Sequence, residues 1–472
     1  MSYEHFGWQA MVESVLMCPT NTLYERMAKE SHNEEALKFP DGFLWGTATS
    51  ATQTEGHINN EWTDLVARDG GTCRIACDSY RRYAEDIEWM GRIGVNAYRM
   101  GIEWSRLQTE AHGPLNHTEL ARYIDQLDRL NAAGIVPMVV LHHFSNPPWI
   151  NAIGAWTNPR TISAFVDYIG KLVPALRSRV RFWNTFNEPD TYACCGYVIG
   201  EFPPLQKWRV GAFRKVIRNM AEAHEQVCGL IREAGSAMGK VEVGFSKNWT
   251  YFQAHSRLSP WDGAIAAFAH RQFNAFVLES FLRGSRKEAA TFLGLNYYGR
   301  IRLRNLKPLV PTCGFSREEL ALMGIECDDM LERHPMGLER ALLEIYQECG
   351  LPMYVTEHGS SSTDEAFRER DLRENLKALH RAISRGVDMR GFYYWSLLDN
   401  FEWRFGYSKK FGLLSVDFTS ELRPRTLKPL AQAYRNICRA NSIRANPESP
   451  VGRLAEPMLE TRRAQTSAQA CG

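Results

Sequence analysis

Short apolar runs alternate with helix-like segments along most of this 472-residue chain. Eight runs are rich in β-branched or aromatic residues, which is typical of buried strands. They cover residues 43–49, 95–102, 135–143, 181–189, 241–249, 292–298, 353–357 and 391–398. Between them, apolar residues recur every three or four positions. This spacing predicts helices that include residues 80–93, 119–133, 161–176, 211–234, 262–283, 337–349 and 371–386.

A strand followed by a helix, eight times over, predicts an α/β fold with a single (β/α)8 TIM barrel and long βα loops. A doubly wound open sheet is the alternative fold. It requires a glycine-rich phosphate loop after the first strand, and residues 47–56 lack that spacing. We predict a catalytic barrel over residues 38–443, an N-terminal extension over 1–37 and a disordered C-terminal tail over 444–472.

The composition excludes several classes of protein. The formal net charge is +2, from 56 basic and 54 acidic residues, and no long basic run is interleaved with aromatic residues, so no nucleic-acid partner is expected. The eleven cysteines are scattered, which argues against a disulfide scaffold and a zinc site. No apolar run approaches the ~20 residues that cross a membrane, and charged residues interrupt residues 1–37. A cytoplasmic location is therefore predicted.

Polar side chains follow the apolar runs, where the strands of a barrel place their catalytic groups. Among them are Glu188 in Thr-Phe-Asn-Glu-Pro (185–189) and Glu357 in Val-Thr-Glu-His-Gly (355–359). The others are Gln53, Glu103, His143, Asn187, Asn248, Asn296 and Asp399. Two carboxylates that face one pocket indicate cleavage of a glycosidic bond.

Six motifs in order resemble glycoside hydrolase family 1, over about residues 39–436. Besides the two glutamate motifs, they are Phe-Leu-Trp-Gly-Thr-Ala-Thr-Ser-Ala-Thr-Gln-Thr-Glu-Gly (43–56), Tyr-Arg-Met-Gly-Ile-Glu-Trp-Ser-Arg-Leu (98–107), Gly-Leu-Asn-Tyr-Tyr-Gly (294–299) and Tyr-Trp-Ser-Leu-Leu-Asp-Asn-Phe-Glu-Trp (394–403). The resemblance implies a barrel that hydrolyses small-molecule β-glycosides with retention of configuration, without a cofactor. Its expected substrates carry a terminal non-reducing β-D-glucosyl residue, with galactosyl and fucosyl residues as further candidates.

The resemblance also implies roles for individual residues. Glu357 corresponds to the nucleophile and Glu188 to the acid/base, while Asn187 would bond the sugar 2-hydroxyl. Arg99 corresponds to the arginine beside the nucleophile and Tyr298 to the tyrosine that orients it. A retaining site needs its carboxylates only ~5–5.5 Å apart, with one ionised and one protonated. We therefore expect Arg99 to favour the ionised form of Glu357, and Glu188 to have the higher pKa.

A further group of residues matches those with which the family holds the non-reducing sugar. Polar groups would bond the hydroxyls and indoles would cover the apolar faces of the ring. The group consists of Gln53, His143, Trp395, Glu402 and Trp403. Glu402 would repel a sugar 6-phosphate, since it lies at the distal edge of the sugar.

The chain departs from the family pattern at Thr52, Phe144 and His358, where the family commonly has Tyr, Trp and Asn. These changes predict an altered substrate preference with an unaltered mechanism. The compact stretch between Asn274 and Phe292, where the family is usually longer, predicts a cleft that is more open on the aglycone side.

Two other functions remain open at this point. A transglycosylase would use the same two carboxylates, with a sugar hydroxyl instead of water as the acceptor. A catalytically silent carbohydrate-binding barrel is disfavoured because both glutamates are present. For Glu55, Glu103 and Asp399 we expect supporting hydrogen bonds or ion pairs, and for Cys194 and Cys195 inert buried thiols.

Overall fold

Eight parallel strands close into a barrel in the computed structural model, which describes residues 36–444. In chain order they are β1 (Leu44–Ala48), β2 (Ala97–Gly101), β3 (Val136–Val140), β4 (Phe182–Asn187), β5 (Glu242–Asn248), β6 (Phe292–Asn296), β7 (Met353–His358) and β8 (Met389–Trp395). Each strand pairs with its sequence neighbours, and β8 pairs with β1. The predicted (β/α)8 barrel is confirmed, and the open sheet is excluded.

A helix follows each barrel strand and packs on the outside of the barrel. The helices are α1 (Ser79–Ile93), α2 (His117–Ala132), α3 (Arg160–Leu176), α4 (Val210–Ala234), α5 (Phe276–Leu282), α6 (Pro335–Cys349), α7 (Glu365–Ser384) and α8 (Pro429–Ala440). In α3 the buried Ala164, Phe165, Tyr168, Ile169 and Leu172 recur at helical spacing, so a single stripe faces the strands. The predicted helix over 262–283 is instead divided into Pro260–His270, a π-helical turn at Arg271–Ala275, and α5.

The interior of the barrel is a packed core. Buried residues fill it from seven of the strands, with Phe411 as a further member: Ala48, Ala97, Met138, Phe182, Phe292, Tyr354, Tyr393 and Trp395. Gly46 leaves the space for one of them, because a Cβ at that position would clash with the ring of Tyr393. Because side chains fill the interior of the barrel, a cavity is expected at the carboxyl ends of the strands.

The loops that follow the strands carry additional structure. The short helices are Ala51–Thr54, Trp104–Leu107, Pro148–Ala152, Pro189–Cys194, Ser285–Ala289 and Arg317–Leu322. A three-stranded sheet consists of Tyr251–Ala254, Arg300–Arg304 and Lys307–Pro308, and a two-stranded sheet of Leu414–Val416 and Arg425–Leu427. No helix within residues 36–444 is long and apolar enough to span a membrane.

The chain divides into two units, one of residues 38–442 and one of residues 1–37 with 443–472. In the second unit, residues 1–35 and 445–472 lie outside the described structure, and so do nearly all of the predicted N-terminal extension and C-terminal tail. The short strands Ala36–Lys38 and Ser442–Arg444 pair with each other. The predicted division into extension, barrel and tail stays a prediction.

Candidate active site

A cavity of about 360 Å³ lies at the carboxyl ends of the barrel strands. Eight of the ten predicted site residues line it, namely His143, Asn187, Glu188, Tyr298, Glu357, Trp395, Glu402 and Trp403. The other two, Gln53 and Arg99, have no exposed surface and are hydrogen-bonded to residues that line the cavity. The structure thus brings all ten together, although they come from seven strands or the loops after them.

Glu357 lies in β7 and is held by two donors. Arg99 Nη1 donates to its Oε1 at 2.5 Å, and the hydroxyl of Tyr298 donates to its Oε2 at 2.7 Å. The pKa of Glu357 is raised, because the effect of burial outweighs the lowering by the Arg99 charge and the Tyr298 hydrogen bond. Each oxygen of this carboxylate therefore has a donor that stabilises the ionised form.

Glu188 directly follows β4, and its φ of +39° lies in the left-handed region that non-glycine residues rarely adopt. Its Oε1 accepts from Asn296 Nδ2 at 2.7 Å, and its Oε2 accepts from Asn248 Nδ2 at 3.1 Å. Burial, the charge of Glu357 and the charge of Asp190 together raise the pKa of Glu188 to about 8. Glu188 is therefore mainly protonated at neutral pH.

Asn187 connects the Glu357 side of the site to His143. Its Oδ1 accepts from Arg99 Nη2 at 2.6 Å, so its Nδ2 is the atom that donates to His143 Nε2, at 3.0 Å. Burial and the Arg99 charge lower the pKa of His143 well below its usual value. The imidazole is neutral and accepts through Nε2, so its proton is on Nδ1, which has no hydrogen-bond partner among the described residues.

Gln53 and Glu402 form a polar pair at one side of the cavity. Gln53 Nε2 donates to Glu402 Oε2 at 3.1 Å and to Asn400 Oδ1 at 3.0 Å. Burial and the charge of Glu357 raise the pKa of Glu402 to about 8. The Gln53 amide and the Glu402 carboxyl thus lie at one edge of the cavity, where a ligand can replace their mutual hydrogen bond.

The indoles of Trp395 and Trp403 lie beside His143. Each of the two rings is nearly parallel to the imidazole, with centroids 5.9 and 6.0 Å away. Trp403 also packs against Trp62 at 4.6 Å and Phe144 at 5.2 Å. The two tryptophans therefore serve both as cavity wall and as packing.

The three departures from the family pattern occupy different places. Phe144 lines the cavity, as the sequence suggested for a sugar-contacting wall. The Thr52 hydroxyl is buried and bonds Glu103 and Asn60. His358 does not face the cavity: its Nδ1 lies 2.8 Å from the Tyr297 carbonyl, and its Nε2 lies 3.3 Å from Asp371 of α7.

The compact stretch between Asn274 and Phe292 begins beside the carboxyl end of β5, where Asn274 Nδ2 donates to the Thr250 carbonyl at 2.8 Å, and its later part lies at the amino ends of the strands. The prediction of a more open aglycone side stays a prediction. Thr291 hydroxyl donates to Glu242 at the start of β5, and Lys287 Nζ contacts the Glu348 carbonyl at the end of α6. A connection from a helix to the next strand lies at the amino ends of the strands. None of residues 274–292 lines the described cavity.

Sequence reasoning gave no role to several residues that complete the site. Asn296, at the end of β6, donates to both Glu188 and Asn187. Asn248 bonds Glu188, and Lys247 forms a buried ion pair with Asp190. The two asparagines had the same strand-end position as the predicted residues, and this position was the signal that could have identified them.

Comparison with known proteins agrees with this geometry. The sequence profile of "Glycosyl hydrolase family 1" matches residues 35–289 and 280–443. Beta-glucosidase A of Thermotoga maritima is 31% identical over 453 residues, which cover 86% of this chain and 99% of the relative. Beta-glucosidase 47 of Arabidopsis thaliana is 29% identical, over 87% of this chain and 86% of the relative.

Solved structures give the same result. The Thermotoga maritima beta-glucosidase in complex with glucoimidazole superposes with a TM-score of 0.77 at 28% identity, over 86% of this chain and 100% of the other. The beta-glycosidase from Pyrococcus horikoshii superposes with a TM-score of 0.75 at 31% identity, over 87% and 97%. The chain therefore belongs to glycosyl hydrolase family 1, and it is a glycoside hydrolase built on a (β/α)8 barrel.

Proposed function

We propose that this chain is a retaining β-glycosidase that releases terminal non-reducing β-D-glucosyl residues, and also accepts β-galactosyl or β-fucosyl residues, through a covalent glycosyl-enzyme intermediate. The named relatives are beta-glucosidases, and one solved neighbour is a beta-glucosidase with bound glucoimidazole. Glucose is therefore the first glycone to test.

The observation that carries the proposal is the difference between the partners of the two carboxylates. Glu357 has a guanidinium and a phenol hydroxyl on its oxygens. Glu188 has two neutral amides, and its pKa is raised to about 8. Because one cavity contains both groups, a carboxylate that can attack and a carboxyl that can donate a proton face the same substrate.

The proposed reaction has two steps. In the first, the Glu357 carboxylate attacks the anomeric carbon, the glycosidic C–O bond breaks, and the Glu188 proton moves to the leaving oxygen. In the second, Glu188 as a carboxylate takes a proton from water, which attacks the same carbon and releases Glu357. Two displacements at one carbon restore the original configuration.

The remaining predicted residues would bind the sugar. Asn187 is positioned by Arg99 to reach the 2-hydroxyl, and the Nδ1–H of His143 is available to donate. Gln53 and Glu402 would exchange their mutual hydrogen bond for bonds to hydroxyls of the non-reducing sugar. Trp395 and Trp403 supply flat apolar faces.

The decisive experiment compares wild-type protein with Glu357→Gln and Glu188→Gln on p-nitrophenyl β-glycosides of glucose, galactose and fucose. We expect turnover by wild type, and a loss of at least about 10⁴-fold in Glu357→Gln, because the nucleophile is absent. Product analysis by NMR should show the β-anomer first. A first product with inverted configuration, or a Glu357→Gln protein as active as wild type, would refute the proposal. Wild-type protein that binds the sugar without releasing nitrophenol would favour the silent barrel.

A further inference from the structure

The outer part of the cavity is lined by Cys195, Ile199, Ile301, Val310 and Met330, and it is more apolar than the part around Glu357. We propose that, given the glycosidase function above, this outer part is an aglycone site for apolar groups such as alkyl chains, and that it disfavours a second sugar. The proposal rests on three observations: the side of the cavity that Glu188 faces, the residues of its two walls, and the partners that its polar groups already have.

The first wall follows Glu188 in the chain. A proton donor must lie on the side of the leaving group, so the aglycone occupies the part of the cavity next to Glu188. The short helix Pro189–Cys194 and the turn after it bring Cys195 and Ile199 to the cavity lining. Ile199 is 50% exposed, and burial raises the pKa of the Cys195 thiol well above its usual value. A protonated thiol behaves as a small apolar group, so this wall is apolar.

The second wall belongs to the loop between β6 and α6. Ile301, Val310 and Met330 line the cavity from this side. The loop has its own small core of Leu309, Leu320, Ile325 and Cys327, which are all buried.

An ion cluster also fixes this loop. Glu332 accepts hydrogen bonds from Arg300 and from Arg302, the latter with Nη2 at 2.8 Å. A loop with its own core and its own ion cluster presents a preformed surface, so an apolar ligand does not have to order it.

Most polar groups of the outer cavity already have protein partners. Arg68 Nη2 donates to Glu201 Oε1 at 2.6 Å. The Asp328 carboxylate accepts from the backbone N–H groups of Met330 at 2.7 Å, Leu331 at 2.8 Å and Ser361 at 2.9 Å. Arg404 Nη1 donates to the Val66 carbonyl at 2.8 Å, and Arg404 Nε lies 3.8 Å from Glu201 Oε2. The other polar side chains of this part are Thr312, and Asn248 and Thr191 beside Glu188.

These features determine which aglycone gains free energy on binding. A second sugar would lose water from several hydroxyls without finding replacement partners, and an unpaired buried hydroxyl is costly. An alkyl chain loses no hydrogen bond, and each methylene that is removed from water adds favourable free energy. The same walls therefore favour an alkyl aglycone and disfavour a sugar.

The test compares ethyl and hexyl β-glycosides of the preferred sugar, because their leaving groups have the same chemistry and differ in apolar length. We expect kcat/KM to be at least about 10-fold higher for the hexyl compound. Cellobiose, whose leaving group is a sugar, should have a lower kcat/KM than the hexyl glucoside. A hexyl/ethyl ratio near one would overturn this inference and leave the proposed function intact. Failure to cleave any β-glycoside would overturn both.

Two variants assign the preference to the walls. Met330→Gln keeps the length of the side chain and adds a polar group, and Ile199→Gln does so at an exposed position. Each should lower the hexyl/ethyl ratio of kcat/KM at least about 3-fold. The matched control is Met323→Gln, in the same loop but outside the cavity lining, which should keep the wild-type ratio. A wild-type ratio in both wall variants would also overturn the inference.

Discussion

Lys247 Nζ lies 2.7 Å from the Asp190 carboxylate, and neither side chain has any exposed surface. Asp190 is two residues after Glu188, and it accepts a hydrogen bond from the Thr191 hydroxyl at 3.1 Å. That hydroxyl accepts from Asn248 Nδ2 at 3.0 Å, and the same amide donates to Glu188. The ion pair is thus connected to Glu188 through two side chains, and the Asp190 charge contributes to the raised pKa of Glu188.

The first prediction concerns this ion pair. Asp190→Asn leaves the Lys247 ammonium buried without a counter-charge, so the free energy of unfolding should fall by about 3–5 kcal/mol. Asp190→Asn with Lys247→Met removes both charges and should restore most of this loss. Chemical unfolding of wild type and both variants measures the effect. Equal stability of Asp190→Asn and wild type would contradict it.

The pH dependence of kcat/KM should report the protonation of Glu188. With a substrate whose leaving group needs protonation, activity should decline above a pKa of about 8, since Glu188 then loses its proton. With a dinitrophenyl glycoside, which needs no acid, Glu188→Gln should retain the first step and show no decline in that range. The same alkaline decline in the variant would assign it to another group.

Tyr298→Phe tests the hydrogen bond to Glu357. The hydroxyl lowers the pKa of Glu357, so its removal should raise that pKa and shift the acidic limb of kcat/KM to higher pH. We expect kcat to fall by about 10- to 100-fold, because the carboxylate also loses a contact that orients it. The alkaline limb, assigned to Glu188, serves as the internal control and should stay in place. An unchanged acidic limb would show that the hydroxyl does not affect the nucleophile's ionisation.

Much of this arrangement could be predicted from the sequence, because the order of the strands in the chain determines where each strand lies around the barrel. The β-branched runs gave all eight strands, with ends that differ by a few residues from those observed. A polar residue after each run must point toward one end of the barrel, so Glu188, Glu357 and Arg99 meet although they are far apart in the chain.

Other features depend on contacts that no local pattern encodes. Lys247 and Asp190 are each plausible surface charges in the sequence, and only the close packing of β5 against the turn after β4 makes them a buried pair. The apolar aglycone wall arises from the fold of the loop between β6 and α6, whose short strands lie among turn residues. His358 directly follows Glu357, yet the alternation of side chains along β7 turns it away from the cavity.

Glu402→Gln should make the protein more stable at alkaline pH and not at acidic pH. In the unfolded chain a glutamate loses its proton near its usual pKa of about 4.3, whereas burial and the charge of Glu357 raise the pKa of the folded Glu402 to about 8. Between these two values the unfolded state binds fewer protons than the folded state, so the free energy of unfolding falls as the pH rises.

Glutamine has no proton to lose, and it keeps an acceptor and gains a donor toward Gln53 and the sugar. The stabilisation should be absent at about pH 4 and reach on the order of 2 kcal/mol at about pH 9. Thermal unfolding at both pH values measures it, with Glu110→Gln on the exposed surface as the matched control. Equal stabilisation at both pH values would mean that improved packing, and not the buried charge, is responsible.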